Sequence, residues 1–360
     1  MRFFPSASSL STACGHDEFT MMPTIEIPPK HEYLSSHLRL RSARYGHAAY
    51  ATCGGVLWLT STTCKQKDHL SSRKMTILIT GGTGNTGLRL AQRLHDANYS
   101  VLLTTRSKPV PAPLKSVQFD WADTSTHENP FNADPNIDRI YVVVPRVQDM
   151  LGTVKPFIEL ALAKGVKRIV LITSTQTGTS NGSPGMSAVQ KYVTELGVDY
   201  CVLRPTWFIE NFGNWAHFAN GIRDENVIMS ATGDGRVALV AVDDIVDVAF
   251  SALVDEKSHN THHILVGPEL LSYAEAAAVF SQVLGQEITH KQLTDQEFID
   301  MHTANGAYKG VAEFFLSLEK LVASGNEGAF FHAEGKVVGK RRLVDYVTEN
   351  KDLWIPKCGS

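Results

Sequence analysis

Long apolar runs are missing from this 360-residue sequence. The run near the amino terminus, Gly55-Val-Leu-Trp-Leu59, is far too short to span a bilayer. Cysteine is scarce as well: Cys14, Cys53, Cys64, Cys201 and Cys358 make an odd number with no C-x-x-C pair. That usage excludes a disulfide framework, gives no zinc-binding spacing and predicts a reducing, cytoplasmic setting. A surplus of one charge is also lacking. The formal net charge is −3, so composition points to neither nucleic acid nor an anionic membrane surface as partner. His262, His263 and His290 show no metal-ligand spacing and are read as structural or exposed, so no metal is predicted.

Residues 1–74 also lack a sustained period of 2 or 3.6 and are rich in Ser, Thr and His. Met1-Arg-Phe-Phe followed by serines has a transit-peptide flavour, which Asp17, Glu18 and Glu26 argue against. The expectation is an extension that is disordered or reflects an upstream reading frame, with a targeting segment as the alternative. The folded part is expected over 75–360, beginning at Met75. That is enough chain for one large domain, or a domain with a small appended lobe.

What is present is organised around Met75-Thr-Ile-Leu-Ile-Thr-Gly-Gly-Thr-Gly-Asn-Thr-Gly87. A short apolar strand runs into Gly81, Gly84 and Gly87, and an amphipathic helix follows with Leu88, Ala91 and Leu94 on one face. A nucleotide-binding βα turn needs this order. One glycine makes the turn, one lets the backbone approach a pyrophosphate, and one lets helix and strand pack closely. The segment Gly81, Gly82, Thr83, Gly84, Asn85, Thr86 and Gly87 is therefore the predicted phosphate cradle.

Further strands are expected at 101–105, 117–121, 137–145, 168–173 and 199–205, with helices at 151–164 and 187–196, the latter closed by Gly197. Near-continuously apolar strands alternating with helices predict a doubly wound parallel α/β Rossmann sheet covered on both faces. Residues 75–205 would form its core. Residues 206–360 would supply the remaining sheet elements, among them a strand at 263–266, and a smaller C-terminal α/β substrate lobe.

Cofactor choice rests on the residue after the second strand. Where NAD-selective sites carry an acid for the ribose 2′-hydroxyl, this chain has Arg106, Ser107 and Lys108. A guanidinium can bind a 2′-phosphate bidentately, which predicts NADPH; the alternative is a solvated loop charge. Asp120, beside Trp121, is placed to accept from an adenine amino group or to be a simple turn aspartate. Beyond the sixth strand, Thr206-Trp-Phe-Ile-Glu-Asn-Phe212 is the natural pocket wall, since ligands in open α/β sheets sit outside the strands' carboxyl ends. Trp207, Phe208, Glu210 and Asn211 are the candidate substrate residues, with Glu210 a candidate counter-ion for a cation; packing of the second lobe is the alternative for each. Asp243 and Asp244 precede an apolar helical run and are read as cap and dipole compensation rather than a catalytic pair.

Seven segments are specific enough to carry a resemblance: TGGTGNTG from Thr80, FDW from Phe119, LRPTWFIENF from Leu203, SATGDG from Ser230, VDDI from Val242, GPELLSY from Gly267 and VTENKDLW from Val347. On these, the chain from Met75 to Trp354 resembles the NmrA-like branch of the short-chain dehydrogenases, and within it the fungal ergot-alkaloid reductases, the agroclavine and festuclavine dehydrogenases. It departs from their pattern at Gly339-Lys-Arg-Arg342, where a proline is expected after the glycine. The resemblance implies NADPH-dependent reduction of an ergoline iminium carbon to agroclavine or festuclavine.

Carbonyl-reducing relatives use a Tyr-x-x-x-Lys pair, or at least a lysine, ahead of the sixth strand. Here 181–188 holds neither, and Lys191 and Tyr192 stand too far along and in the wrong order. Hydride addition to a ketone needs a proton donor, whereas addition to C=N⁺ yields a neutral amine and needs none. Two other readings stay open, the first favoured by the missing pair and the second disfavoured by the missing lysine. One is a non-catalytic NAD(P)-binding redox sensor of the NmrA type. The other is a general NADPH reductase of quinones or phenylpropanoids.

Overall fold

The computed structural model describes residues 75–356; the expectations for residues 1–74 lie outside them. The first half alternates strand and helix. Its strands are β1 (Thr76–Ile79), β2 (Ser100–Thr105), β3 (Ser116–Gln118), β4 (Ile137–Val143), β5 (Arg168–Ile172) and β6 (Asp199–Pro205). The helices between them are α1 (Asn85–Asp96), α2 (Asn129–Ala133), α3 (Met150–Ala163) and α4 (Pro184–Thr194). The second half contributes α5 (Asn211–Asn214), α6 (Ala216–Asn220), β7 (Val227–Ser230), β8 (Arg236–Val237), α7 (Val242–Val254), β9 (Thr261–Val266) and β10 (Leu271–Ser272). It ends with α8 (Tyr273–Leu284), β11 (Thr289–Gln292), α9 (Asp295–Ala304), α10 (Lys309–Ala323), β12 (Val337–Val338) and α11 (Leu343–Glu349).

Eight strands form one sheet in the order β3-β2-β1-β4-β5-β6-β9-β12, every pair parallel. The doubly wound Rossmann sheet expected from the sequence is therefore present. Its apolar strands are explained by burial on both faces. Ile77 and Ile79 of β1 pack with α1 and α7, while Leu78 between them packs with α3 on the other side. Burying each such side chain is worth about 1.5–3 kcal/mol, so the sheet cannot slip by one residue without exchanging its faces. No helix among the described residues is long and apolar enough to cross a membrane.

Chain from the last third closes the sheet, because β9 and β12 lie beyond β6. The intervening segments build a second core of Phe212, Phe218, Tyr273, Phe280 and Trp354. Trp354 is fully buried, and its indole N–H donates to the Phe212 carbonyl at 3.2 Å, so the C-terminal VTENKDLW motif pins the segment after β6. The segment without the expected proline is held by polar contacts instead. The Arg341 N–H donates to Asp244 at 3.1 Å, and the Arg342 guanidinium to Glu269 at 3.1 Å.

Several boundaries differ from expectation. α4 begins at Pro184 because the Ser183 hydroxyl accepts from the Met186 N–H, an N-cap that periodicity alone does not register. The third strand stops at Gln118, since Asp120 N–H donates to Thr126 Oγ1 and its carboxylate takes the Ala122 N–H, turning the chain.

Candidate active site

The glycine segment sits at the carboxyl end of β1. Gly81 has φ of +65°, a conformation that suits glycine, and the turn is closed by Gly84 N–H donating to the Gly81 carbonyl at 2.9 Å. Side chains are excluded here. A β-carbon on Gly82 would stand 2.6 Å from Leu103 Cβ, and one on Gly87 would stand 2.5 Å from the Gly81 carbonyl oxygen. α1 starts with Gly84 as a cap that offers no side chain, and its first turn holds no acid. Its first amide groups thus have no side-chain cap beside a turn with little steric bulk, which suits a pyrophosphate. Gly81, Thr83, Gly84 and Asn85 are exposed, while Gly82, Thr86 and Gly87 are buried in the join of helix and strand.

Arg106 is exposed immediately beyond β2, the strand next to β1. Asp120 and Trp121 follow β3, one strand further out, and the Trp121 ring packs edge-on against Phe119 and Phe157 at 5.0 and 5.3 Å. These residues thus fall at the carboxyl ends of three adjacent strands, along the edge where a dinucleotide lies in this fold.

The segment after β6 departs from its predicted role. Glu210 is buried and turned into the protein. Both its oxygens accept the Val242 N–H, at 3.0 and 3.1 Å, and Oε1 also receives Arg89 at 3.0 Å. It therefore caps the start of α7 from a distance and ties α1 to it, which agrees with the packing alternative given for this residue and leaves its charge paired inside the protein. Burial raises its pKa, with the two backbone donors and Arg89 opposing. Asp243 extends the network, bonding Arg89 at 3.0 Å and Arg341 at 2.7 Å, while Asp244 takes a backbone N–H, so neither acts as the cap of its own helix. Phe208 packs against the main core and bridges to Val240. Asn211 opens α5, half-buried. Only Trp207 faces an aromatic partner near a cavity, packing on Trp215 at 5.7 Å.

That cavity, about 230 Å³, was not legible in the sequence. Trp215, Ala216, His217, His302, Asn305, Ala307 and Phe315 line it. His217 and His302 face each other at 4.8 Å between ring centroids, and Phe315 stacks on His302 at 5.7 Å. Burial lowers both imidazole pKa values, that of His217 to about 3, so both rings are neutral at neutral pH, and Nε2 of each is buried without a partner. Arg146, just past β4, stands over the Phe315 ring at 5.9 Å, which puts the cavity wall beside the carboxyl end of the strand next to β1. A larger groove of about 340 Å³ runs between α1 and α7, but its charges Arg89 and Asp243 are paired with each other and it lies on the helical face.

The stretch 181–188 forms the tight start of α4. Gly182 leaves no room for a β-carbon, which would stand 2.1 Å from the Gln176 carbonyl oxygen. The loop before it is fastened by Glu327, which accepts from Thr175 Oγ1 at 2.6 Å and Gln176 Nε2 at 2.7 Å. Lys191 is exposed and paired with Glu195, and Tyr192 packs against Lys155 of α3. Neither faces the strand ends.

Glu210→Gln is expected to lower stability by about 2 kcal/mol, because the amide presents a donor to Arg89 or to the Val242 N–H. Thermal melts would show this, while kcat/KM for the eventual substrate should stay within about threefold if the residue acts only through packing.

Comparison with known proteins agrees with this geometry. Residues 73–321 match the NmrA-like family. Agroclavine dehydrogenase of Claviceps fusiformis is 34% identical over 288 residues, covering 78% of this chain and 99% of that protein. Festuclavine synthase II of Penicillium roqueforti is 35% identical over 294 residues, covering 78% of this chain and 100% of that protein. Among solved structures, an NADPH-dependent quinone oxidoreductase of Escherichia coli complexed with NADPH superposes with a TM-score of 0.62 at 20% identity, covering 76% of this chain and 99% of that one, a likeness of fold. With its glycine cradle, its parallel sheet and these matches, the chain belongs to the NmrA-like family.

Proposed function

We propose that this NAD(P)-dependent oxidoreductase uses NADPH to reduce the iminium carbon of an ergoline-type intermediate, giving agroclavine or festuclavine. The observation that carries the reading is a dinucleotide cradle near an aromatic and imidazole cavity with no Tyr/Lys acid presented to it. The likeness to the two clavine-forming enzymes supports it.

NADPH supplies the hydride when bound. The chain's own work is then placement: α1 and the glycine turn would hold the pyrophosphate, and Arg106 would engage the 2′-phosphate. Trp207 and Trp215, with Phe315, offer flat apolar faces to a planar indole cation. The neutral His217 and His302 add no repelling positive charge. Addition to C=N⁺ discharges a cation, so alignment and exclusion of water suffice and no proton donor is required.

The test follows NADPH absorbance with chanoclavine-I aldehyde plus a thiol, which together generate the iminium, and identifies the product by mass and retention. NADPH oxidation with agroclavine as product supports the reading, and festuclavine is the product to look for when the supplied aldehyde already has its ring alkene reduced. NADPH binding without turnover on alkaloids and quinones would replace it with the redox-sensor reading, and turnover on quinones alone with a general reductase. In the same assay Arg106→Ala is expected to raise KM for NADPH about tenfold while leaving KM for NADH unchanged, as loss of a charge-assisted phosphate contact requires.

A further inference from the structure

At the opposite end of the sheet from the glycine turn, three potential metal ligands converge. Cys201 lies near the amino end of β6, His263 on the adjoining strand β9, and His259 in the loop that leads into β9. The parallel register pairs Cys201 with Thr261 and Leu203 with His263, so Cys201 and His263 share one face of the sheet, two residues apart along it. His259 Nδ1 stands 3.1 Å from His263 Nε2 and 3.9 Å from Cys201 Sγ, and all three atoms lie within 4.8 Å of one another. Around tetrahedral zinc, two ligating nitrogens are separated by about 3.4 Å, and sulfur and nitrogen by about 3.6 Å.

A second observation concerns the proton on His259. Its Nε2 faces Asp255 Oδ2 at 3.0 Å, and a carboxylate there requires that nitrogen to carry the hydrogen. In the neutral ring the Nδ1 lone pair is then aimed at Cys201 and His263. A carboxylate that orients a histidine through its far nitrogen is the usual support of a metal-bound imidazole. The loop is also built rather than loose. The Asn260 carboxamide oxygen accepts the Tyr200 N–H at 2.9 Å, and Arg168 is occupied by the Asp255 and Glu256 carbonyls at 2.6 and 3.2 Å. His259 and His263 are half-buried, so the cluster is reachable from outside. His259 and His263 also sit at the H-x₃-H spacing of zinc sites, a pair that the reading of His262, His263 and His290 did not include.

We propose that Cys201, His259 and His263 form a binding site for a thiolate- and imidazole-seeking divalent ion of the zinc class, oriented by Asp255 and remote from the cofactor edge. The donor set of one sulfur and two nitrogens favours zinc over magnesium or calcium, and a tetrahedral ion would retain one position for water. Because the site bridges β6, β9 and the loop between α7 and β9, occupancy ties the late-arriving strand β9 to the Rossmann core.

The full chain, stripped with chelator, is titrated with Co²⁺ and then Zn²⁺. Expected are one Co²⁺ bound with a thiolate-to-cobalt absorption band, its bleaching by Zn²⁺, and a Tm raised by saturating Zn²⁺. His259→Ala is expected to weaken binding about 100-fold, and Asp255→Asn about tenfold. Cys201→Ala should remove the band and His263→Ala should weaken binding; because Cys201 is buried, the half-buried His259 and the exposed Asp255 supply variants that do not disturb the core. A thiolate band that survives Cys201→Ala would come from the other cysteines and overturn the assignment. So would Zn²⁺ affinity unchanged by His259→Ala, or no binding at all, which would leave a plain hydrogen bond between the two imidazoles. None of these outcomes depends on which substrate the enzyme reduces.

Discussion

Gly87→Ala is expected to weaken NADPH binding about 100-fold or more, equivalent to about 2.7 kcal/mol. The added β-carbon would stand 2.5 Å from the Gly81 carbonyl oxygen, 3.1 Å from its carbon and 3.2 Å from Gly82 Cα. All three are backbone atoms of the turn that would face the phosphates, so no rotamer change relieves the clash. Either α1 moves away from β1 or the turn opens, and both displace the amide groups that would receive the pyrophosphate. Calorimetric titration with NADPH measures the loss, with circular dichroism and Tm checking that the variant folds. Affinity within threefold of the parent would mean that the phosphates do not bind at this turn.

Stability is expected to fall as pH rises from about 5 to about 8, and Glu319→Gln should remove much of that fall. Glu319 is buried on α10, one turn from Phe315 of the cavity wall, and accepts the Ala231 N–H. Desolvation raises its pKa to about 8, only partly offset by that hydrogen bond and Lys320. The sign follows from proton counting. Between its unfolded value near 4.5 and its folded value near 8, the native state holds a proton that the unfolded chain has released. Stability from this group is thus complete at low pH and is lost as pH climbs through the window. Glu327 and Glu210 are shifted in the same direction by burial and add to the slope. Glutamine keeps the acceptor for Ala231 and never ionises. The variant should therefore lie within about 1 kcal/mol of the parent at pH 5 and exceed it by about 4 kcal/mol at pH 8, which is about 7 °C in Tm for a domain of this size. Melts across pH read this directly; parallel curves for parent and variant would place the ionisation elsewhere.

The glycine turn was legible because its physics is local. Strand, three spaced glycines and helix lie within one short segment, and each requirement is steric. The parallel sheet was legible for a related reason: apolar runs in β1, β4 and β5 admit no solvated face, so helices must cover both. The position of Arg106 after β2 follows from the same short-range order.

Glu210 marks where that reasoning stopped. From the sequence it is an acid on a pocket-forming segment, and nothing local reveals that Arg89 and the open end of α7 converge on it from far along the chain. The cavity depends on the same kind of distance, since Trp215 and His217 meet His302 and Phe315 only through packing of α6 against α9 and α10. Cys201, His259 and His263 likewise become a cluster only when β9 pairs with β6. By itself the sequence determined the doubly wound sheet and the glycine turn between its first strand and helix, because each depends on residues close in the chain. Tertiary structure alone decided which polar groups are consumed in holding the fold and which face a cavity, because burial and pairing are properties of surfaces that meet only after the chain has folded.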